Sequence, residues 1–129
     1  MSTPFNPNIL TRRCDEDLSS SEWSLVKPTA GVDDDIAPAT AGDLCIGALT
    51  NDVADGSSTA VYVPVQIGGI IKVKCGAAIA AGVLAASDAN GEAVTAVDQD
   101  YAFGLSLEDL EDNEVGAFLW APSFIGTLS

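Results

Sequence analysis

The side chains in this 129-residue chain that are equipped for chemistry are carboxylates and thiols, because it contains no histidine. Without an imidazole there is no Ser-His-Asp or Cys-His nucleophile, no ordinary zinc site and no proton shuttle near neutral pH. The carboxylates fall in runs: Asp33, Asp34 and Asp35 are consecutive, and Glu108 to Glu114 holds five acids in seven residues. Consecutive acids in an extended loop diverge, whereas a calcium loop alternates its ligands around a glycine turn, so the aspartate triplet is expected to be a solvated charge run. Asp88-Ala89-Asn90-Gly91 resembles a fragment of a calcium loop but lacks a bidentate acid at the proper distance, and a plain turn is expected. Two acids in a cleft can hydrolyse a glycoside, yet such enzymes are normally much longer and line their grooves with aromatics. The phosphate-cradling GxxxxGK[ST] loop, the GxGxxG fingerprint, the GxSxG elbow and the CxxC pair are all missing. We therefore expect no enzyme: no catalytic residue, no cofactor and no metal.

The three thiols, Cys14, Cys45 and Cys75, are odd in number and about thirty residues apart, which is neither a disulfide framework nor a zinc pattern. Cys45 and Cys75 sit at apolar positions of strand-like runs, where a reduced cysteine acts as a small buried hydrophobe. Synthesis in a cytoplasm follows from that. The formal charge of -14 repels phosphate backbones and disfavours nucleic-acid binding, so no nucleic acid is expected as a partner. The longest weakly polar run, Cys75 to Ala86, falls far short of the ~20 residues that span a bilayer, so no membrane is expected. Met1 to Leu10 has neither the basic nor the apolar region of a signal peptide.

What would position these side chains is β structure. The chain suffices for one domain that buries ~65% of its unfolded surface. Val61, Val63, Val65 and Ile67 alternate with polar or small residues, as do Ile71, Val73 and Cys75 with Lys72 and Lys74. The shared phase rules out a two-residue hairpin at Gly68-Gly69, which would put both lysines beside Val63 and Val65. A three-residue loop, Gly68 to Ile70, and one long strand bent at the glycines both remain open. Val83 to Ala86 and Glu92 to Val97 read as a hairpin about Asn90-Gly91, and Gly76 to Gly82 as a short extended link with a turn at Ala81-Gly82. Trp23 to Lys27 is expected as the first strand. Further strands are expected at Asp43 to Thr50, Tyr101 to Leu107 and Val115 to Trp120, the last stopped by Pro122. Ile46-Gly47-Ala48 recurs as Phe103-Gly104-Leu105, Asp52 as Asp109, and Pro64, Ile67 and Gly68 as Pro122, Ile125 and Gly126, which suggests two similar β units. Residues 1–22 have no such patterning and read as an extended arm ahead of a domain spanning 23–129.

Several stretches, taken in order, resemble the small capsid decoration, or cement, proteins of tailed bacteriophages. They are GDLCIGAL, VYVPVQIGGIIKVKCGAAIAAGVLAAS, YAFGLSLED and EVGAFLW, within roughly residues 42 to 120. Gly69, Ala81-Gly82 and Phe103-Gly104-Leu105 occupy places where the family has its strand-ending glycine, its Ala-Gly turn and its late Phe/Ile-Gly-Leu strand. Val83 departs from it, since the family often has Asp there. The resemblance implies an all-β fold, a small antiparallel β-barrel or sandwich with an extended N-terminal arm. It further implies assembly as a homotrimer on the outer surface of a phage head, clamping major capsid protein subunits. Phe5, Ile9, Leu10, Arg12 and Arg13 in the arm are the expected capsid contacts, and removing residues 1–20 is expected to weaken capsid occupancy while the domain stays folded. The rival reading is a head-fibre or tail-associated module that binds host-surface glycans, with Trp23, Tyr62 and Tyr101 as its platform.

Overall fold

Alternation in the central stretch is converted into strands as expected, but the two runs belong to different sheets. The computed structural model describes residues 9–15, 17–29, 31, 35–50, 56 and 58–126. Its strands are β1 (Ile9–Cys14), β2 (Leu25–Pro28), β3 (Ile36–Pro38), β4 (Gly47–Leu49), β5 (Val61–Gln66), β6 (Ile70–Lys74), β7 (Leu84–Ser87), β8 (Ala93–Thr95), β9 (Tyr101–Ser106) and β10 (Val115–Phe124). No helix occurs among the described residues, and so none that is long and apolar enough to cross a membrane. The protein is all-β.

Five strands form one antiparallel sheet in the order β1-β5-β4-β2-β3, and five form a second in the order β6-β10-β9-β7-β8. β5 and β6 do not pair with each other, so the chain passes from sheet to sheet at Gly68-Gly69, where Gly69 takes a φ of 68°. That is nearest to the bent-strand alternative, with the two halves in separate layers. Each sheet rolls until its outer strands touch at one parallel bridge, Arg13 with Asp35 in the first and Cys75 with Ala93 in the second. A single bridge is not a ladder, so the architecture is sandwich-like and the barrel alternative is corrected.

The two orders are one topology used twice, and the registers agree residue by residue. Leu25 lies opposite Ala48 and Val26 opposite Gly47 in the first unit; Leu84 lies opposite Leu105 and Ala85 opposite Gly104 in the second. Leu10 faces Val65 as Ile71 faces Phe118. A Cβ on Gly47 would stand 2.1 Å from the Gln66 carbonyl oxygen, and one on Gly104 would stand 2.3 Å from that of Leu119, the same close approach at the same place. The expected match of Gly47 with Gly104 therefore holds. That of Pro64 with Pro122 does not, because β5 and β10 align Val65 with Phe118; Asp52 lies outside the described residues.

Two cores follow from the two layers. Cys14, Leu18, Val26, Ile36, Leu49, Val63 and Val65 fill the first unit. The second core joins Ile71, Val73, Cys75, Phe103 and Phe118 to Leu25, Ala39, Cys45 and Ala48, so the back of the first sheet helps to close it. All three cysteines are free and buried. Phe103 reaches this core because it is the extra residue of a bulge: Ala85 and Ala86 pair with Gly104 and Ala102, which re-aims the side chain between them.

Some expected boundaries change. Residues 9–14, expected in the unpatterned arm, form an edge strand paired with β5 over six residues, so Trp23 to Lys27 is not the first strand. β3, a three-residue strand, was not anticipated. β10 runs through Pro122 because Ala121 and Pro122 sit in a bulge between Trp120 and Ser123, where no ladder donor is needed. The hairpin of β7 and β8 and the turn at Ala81-Gly82 are as expected; Asp88 Oδ1 accepts from the amides of Asn90 at 2.8 Å and Glu92 at 3.0 Å.

The seams carry equivalent ion pairs: Arg13 Nη1 to Asp35 Oδ1 at 3.2 Å, and Lys74 Nζ to Glu92 Oε2 at 3.4 Å. Asp35 has a side chain only 2% exposed, so at that position the solvated charge run is corrected. Removing Arg13 strands a buried carboxylate, and Arg13→Ala is expected to cost about 1–3 kcal/mol in urea unfolding. Lys74→Ala opens a pair near water and is expected to cost less than about 1 kcal/mol. Equal costs would contradict this difference in burial.

Candidate interaction surface

The expected contact residues are gathered on one strand, though not as free side chains. Ile9, Leu10, Arg12 and Arg13 lie along β1 and are half-buried; Phe5 lies outside the described residues. Leu10 and Arg12 share a face with buried Cys14 by alternation, opposite Val65 and Val63. Ile9 and Arg13 share the other face, and Arg13 is held by Asp15 at 3.5 Å as well as by Asp35. β1 is therefore a structural edge of the first unit as well as a candidate contact.

Burial holds two of the thiols in their protonated form. Burial first, then the charge of Asp43, pushes the Cys45 thiol up to about 12. Burial first, then carboxylates led by Glu114, pushes Cys75 up to about 11. Neither supplies a thiolate at neutral pH, so neither serves as a nucleophile. Among the described residues no three Cys, Asp or Glu side chains group to hold a metal. Tyr62 stands exposed on the first sheet, while Tyr101, on the second, packs on Phe124 with ring centroids 4.9 Å apart. Trp23 is half-buried, and no ring contact joins the three into a sugar platform among the described residues.

Asp43 ties the units together. Its carboxylate accepts from Lys27 Nζ at 2.8 Å and from the Thr40 amide at 2.9 Å, fixing a turn. In that turn the Gly42 amide donates to the Ser87 carbonyl at 3.0 Å, and the Gly42 carbonyl accepts from Tyr101 at 3.0 Å. The Lys27 ammonium, followed by the Thr40 hydroxyl, lowers the Asp43 carboxyl to about 2 from an ordinary 3.8. A depressed carboxyl stabilises the fold fully above its unfolded pKa, and the contribution disappears as pH falls through the folded value. Stability is therefore expected to decline between about pH 4 and pH 2, and Asp43→Asn is expected to flatten that part of the urea-midpoint profile. An unchanged slope would contradict the assignment.

Sequence reasoning missed an exposed apolar strip. Ile70 lies opposite Leu119, Leu119 opposite Leu105, and Leu105 opposite Leu84, so four side chains from β6, β10, β9 and β7 form one strip on the outer face of the second sheet. Ile70 is 64% exposed and Leu119 42%. The neighbouring row adds exposed Lys72, Ala117 and exposed Leu107. One signal was available: Ile70 and Ile71 are adjacent, and in a strand adjacent residues point to opposite faces, so one of them had to face out.

No family model matches the chain, and no curated protein matches it in sequence. In three dimensions it is similar to the crystal structure of the head fibre gp8.5 N base in bacteriophage phi29. The likeness has a TM-score of 0.72, covers 92% of this chain and 98% of that one, and leaves 19% identity. At that identity what the two chains share is the fold.

Proposed function

We propose that this chain is a structural protein of a bacteriophage head, a decoration or cement protein. It docks as a homotrimer on the outer surface and locks the shell by bridging major capsid protein subunits. The observation that carries the reading is the likeness in fold to a phage head-fibre base across nearly the whole of both chains. The resemblance of its ordered glycine-punctuated strands to capsid decoration proteins points the same way. Its acidic surface suits the outside of a shell better than the side facing DNA. On this reading the protein works by burying surface and not by turnover, without a cofactor, and β1 with residues 1–8 contributes to the capsid contact.

The fold likeness also favours a second reading, in which the chain is the base that seats a fibre on the head. Adding the purified chain to capsids that lack it separates the two. A cement protein is expected to cosediment at a fixed, high ratio to shell subunits and to raise the temperature at which the shell breaks. A fibre base is expected to bind sparsely and leave that temperature unchanged. Absence of binding would contradict both, and strong signal on a glycan array would favour a host-recognition module instead.

A further inference from the structure

The repeated topology shows what covers the outer face of one unit and leaves the same face of the other open. In the first unit the row Ile9, Gln66, Ala48 and Leu25 crosses β1, β5, β4 and β2. Leu25 and Ala48 are wholly buried in it, because the second unit lies on them. The covering is done by the end of β6 and the β7–β8 turn: the Lys74 amide donates to the Trp23 carbonyl at 3.0 Å, and the Leu25 amide donates to the Gly91 carbonyl at 2.6 Å. Register places Ile70, Leu119, Leu105 and Leu84 at the same four positions of the second unit. There Leu105 and Leu84 are only half-buried, and Ile70 and Leu119 stand in water.

Charge indicates the occupant. Lys72 shares this face, is exposed, and has no side-chain partner among the described residues. An apolar strip beside an unpaired ammonium suits an acidic surface, and the chain itself carries a formal -14.

We infer that the Ile70–Leu119–Leu105–Leu84 strip is the docking site for a second copy of this chain, seated head to tail as the second unit is seated on the first. It rests on the self-association in the proposed function and gives that association a surface. A head-to-tail contact uses two different patches, and copies joined this way close into a ring when the rotation allows.

The test is the mass of the full chain in solution by light scattering. The natural protein is expected to form a closed oligomer at micromolar concentration. Ile70→Glu with Leu119→Glu is expected to weaken association by about 30-fold or more and to run at the 13.2 kDa of one chain. Tyr62→Glu, on the first sheet, is expected to keep the oligomer. A monomeric natural protein would overturn the inference, as would a double variant of unchanged circular dichroism that retains the oligomeric mass. If the double variant does not fold, Lys72→Glu decides, since it disturbs no packing: weakened association supports the face and unchanged association overturns it. Failure of the head-surface reading is distinguishable, because an oligomer that depends on this strip but is absent from virions leaves the docking face standing. A monomer attached to capsids removes the face alone.

Discussion

A chain lacking residues 1–20 is expected to be unfolded in its first unit. The deletion removes β1, which pairs with β5 over six residues, and takes Cys14 and Leu18, 0% and 2% exposed, out of the first core. Losing a buried aliphatic side chain costs about 2–5 kcal/mol by itself, and the ladder bonds and the Arg13 ion pair go with it. Against a total of roughly 5–15 kcal/mol for a domain, little stability remains. It would also leave a β5 edge beside Val63 and Val65, a template for aggregation. This replaces the sequence-based expectation that such a truncation leaves the domain intact. A chain that begins at Ile9 keeps β1, so comparing the two deletions separates a contact made by residues 1–8 from the loss of the strand. Native-like circular dichroism in the longer deletion would contradict the role given to β1.

Phe118→Ala is expected to be the most damaging single substitution in the second unit. Phe118 is wholly buried, with its ring centroid 5.1 Å from that of Phe103 and the planes inclined at 59°. It belongs to the core that residues of both sheets share, and truncating it leaves a cavity there. Truncations of this kind cost about 3–5 kcal/mol, roughly a 10–20 °C fall in the calorimetric midpoint. Phe124→Ala, at a ring that is 51% exposed against Tyr101, is expected to cost under about 1 kcal/mol. A loss below about 1 kcal/mol at Phe118 would mean that the second core does not hold the layers together.

How much of this was legible follows from which forces act locally. Alternation in Val61–Gln66 and Ile70–Lys74, and Asn90-Gly91 between two apolar runs, report local backbone preference, and they became strands and a hairpin. β1 was hidden because Thr11, Arg12 and Arg13 interrupt its apolar pattern, and an edge strand tolerates charge on the side toward water. β3 is three residues ending in Pro38, too short to show a period. Pro122 suggested a stop, whereas a bulge, which depends on the partner strand, lets β10 continue. The repeat was visible where a backbone approach demands glycine, at Gly47 and Gly104, and misleading at the prolines, whose positions nothing fixes in common. The outer strip was not legible, because Leu84, Leu105 and Leu119 become neighbours only through the pairing of strands far apart in sequence.

The proposed function comes down to one claim, that the protein acts by contact on a phage head. The direct measurement is an image reconstruction of purified virions with and without this chain. The account predicts additional density of the chain's size on the outer surface, repeated with the shell lattice, that disappears when the chain is removed. Virions without it, or density inside the shell, would contradict the account.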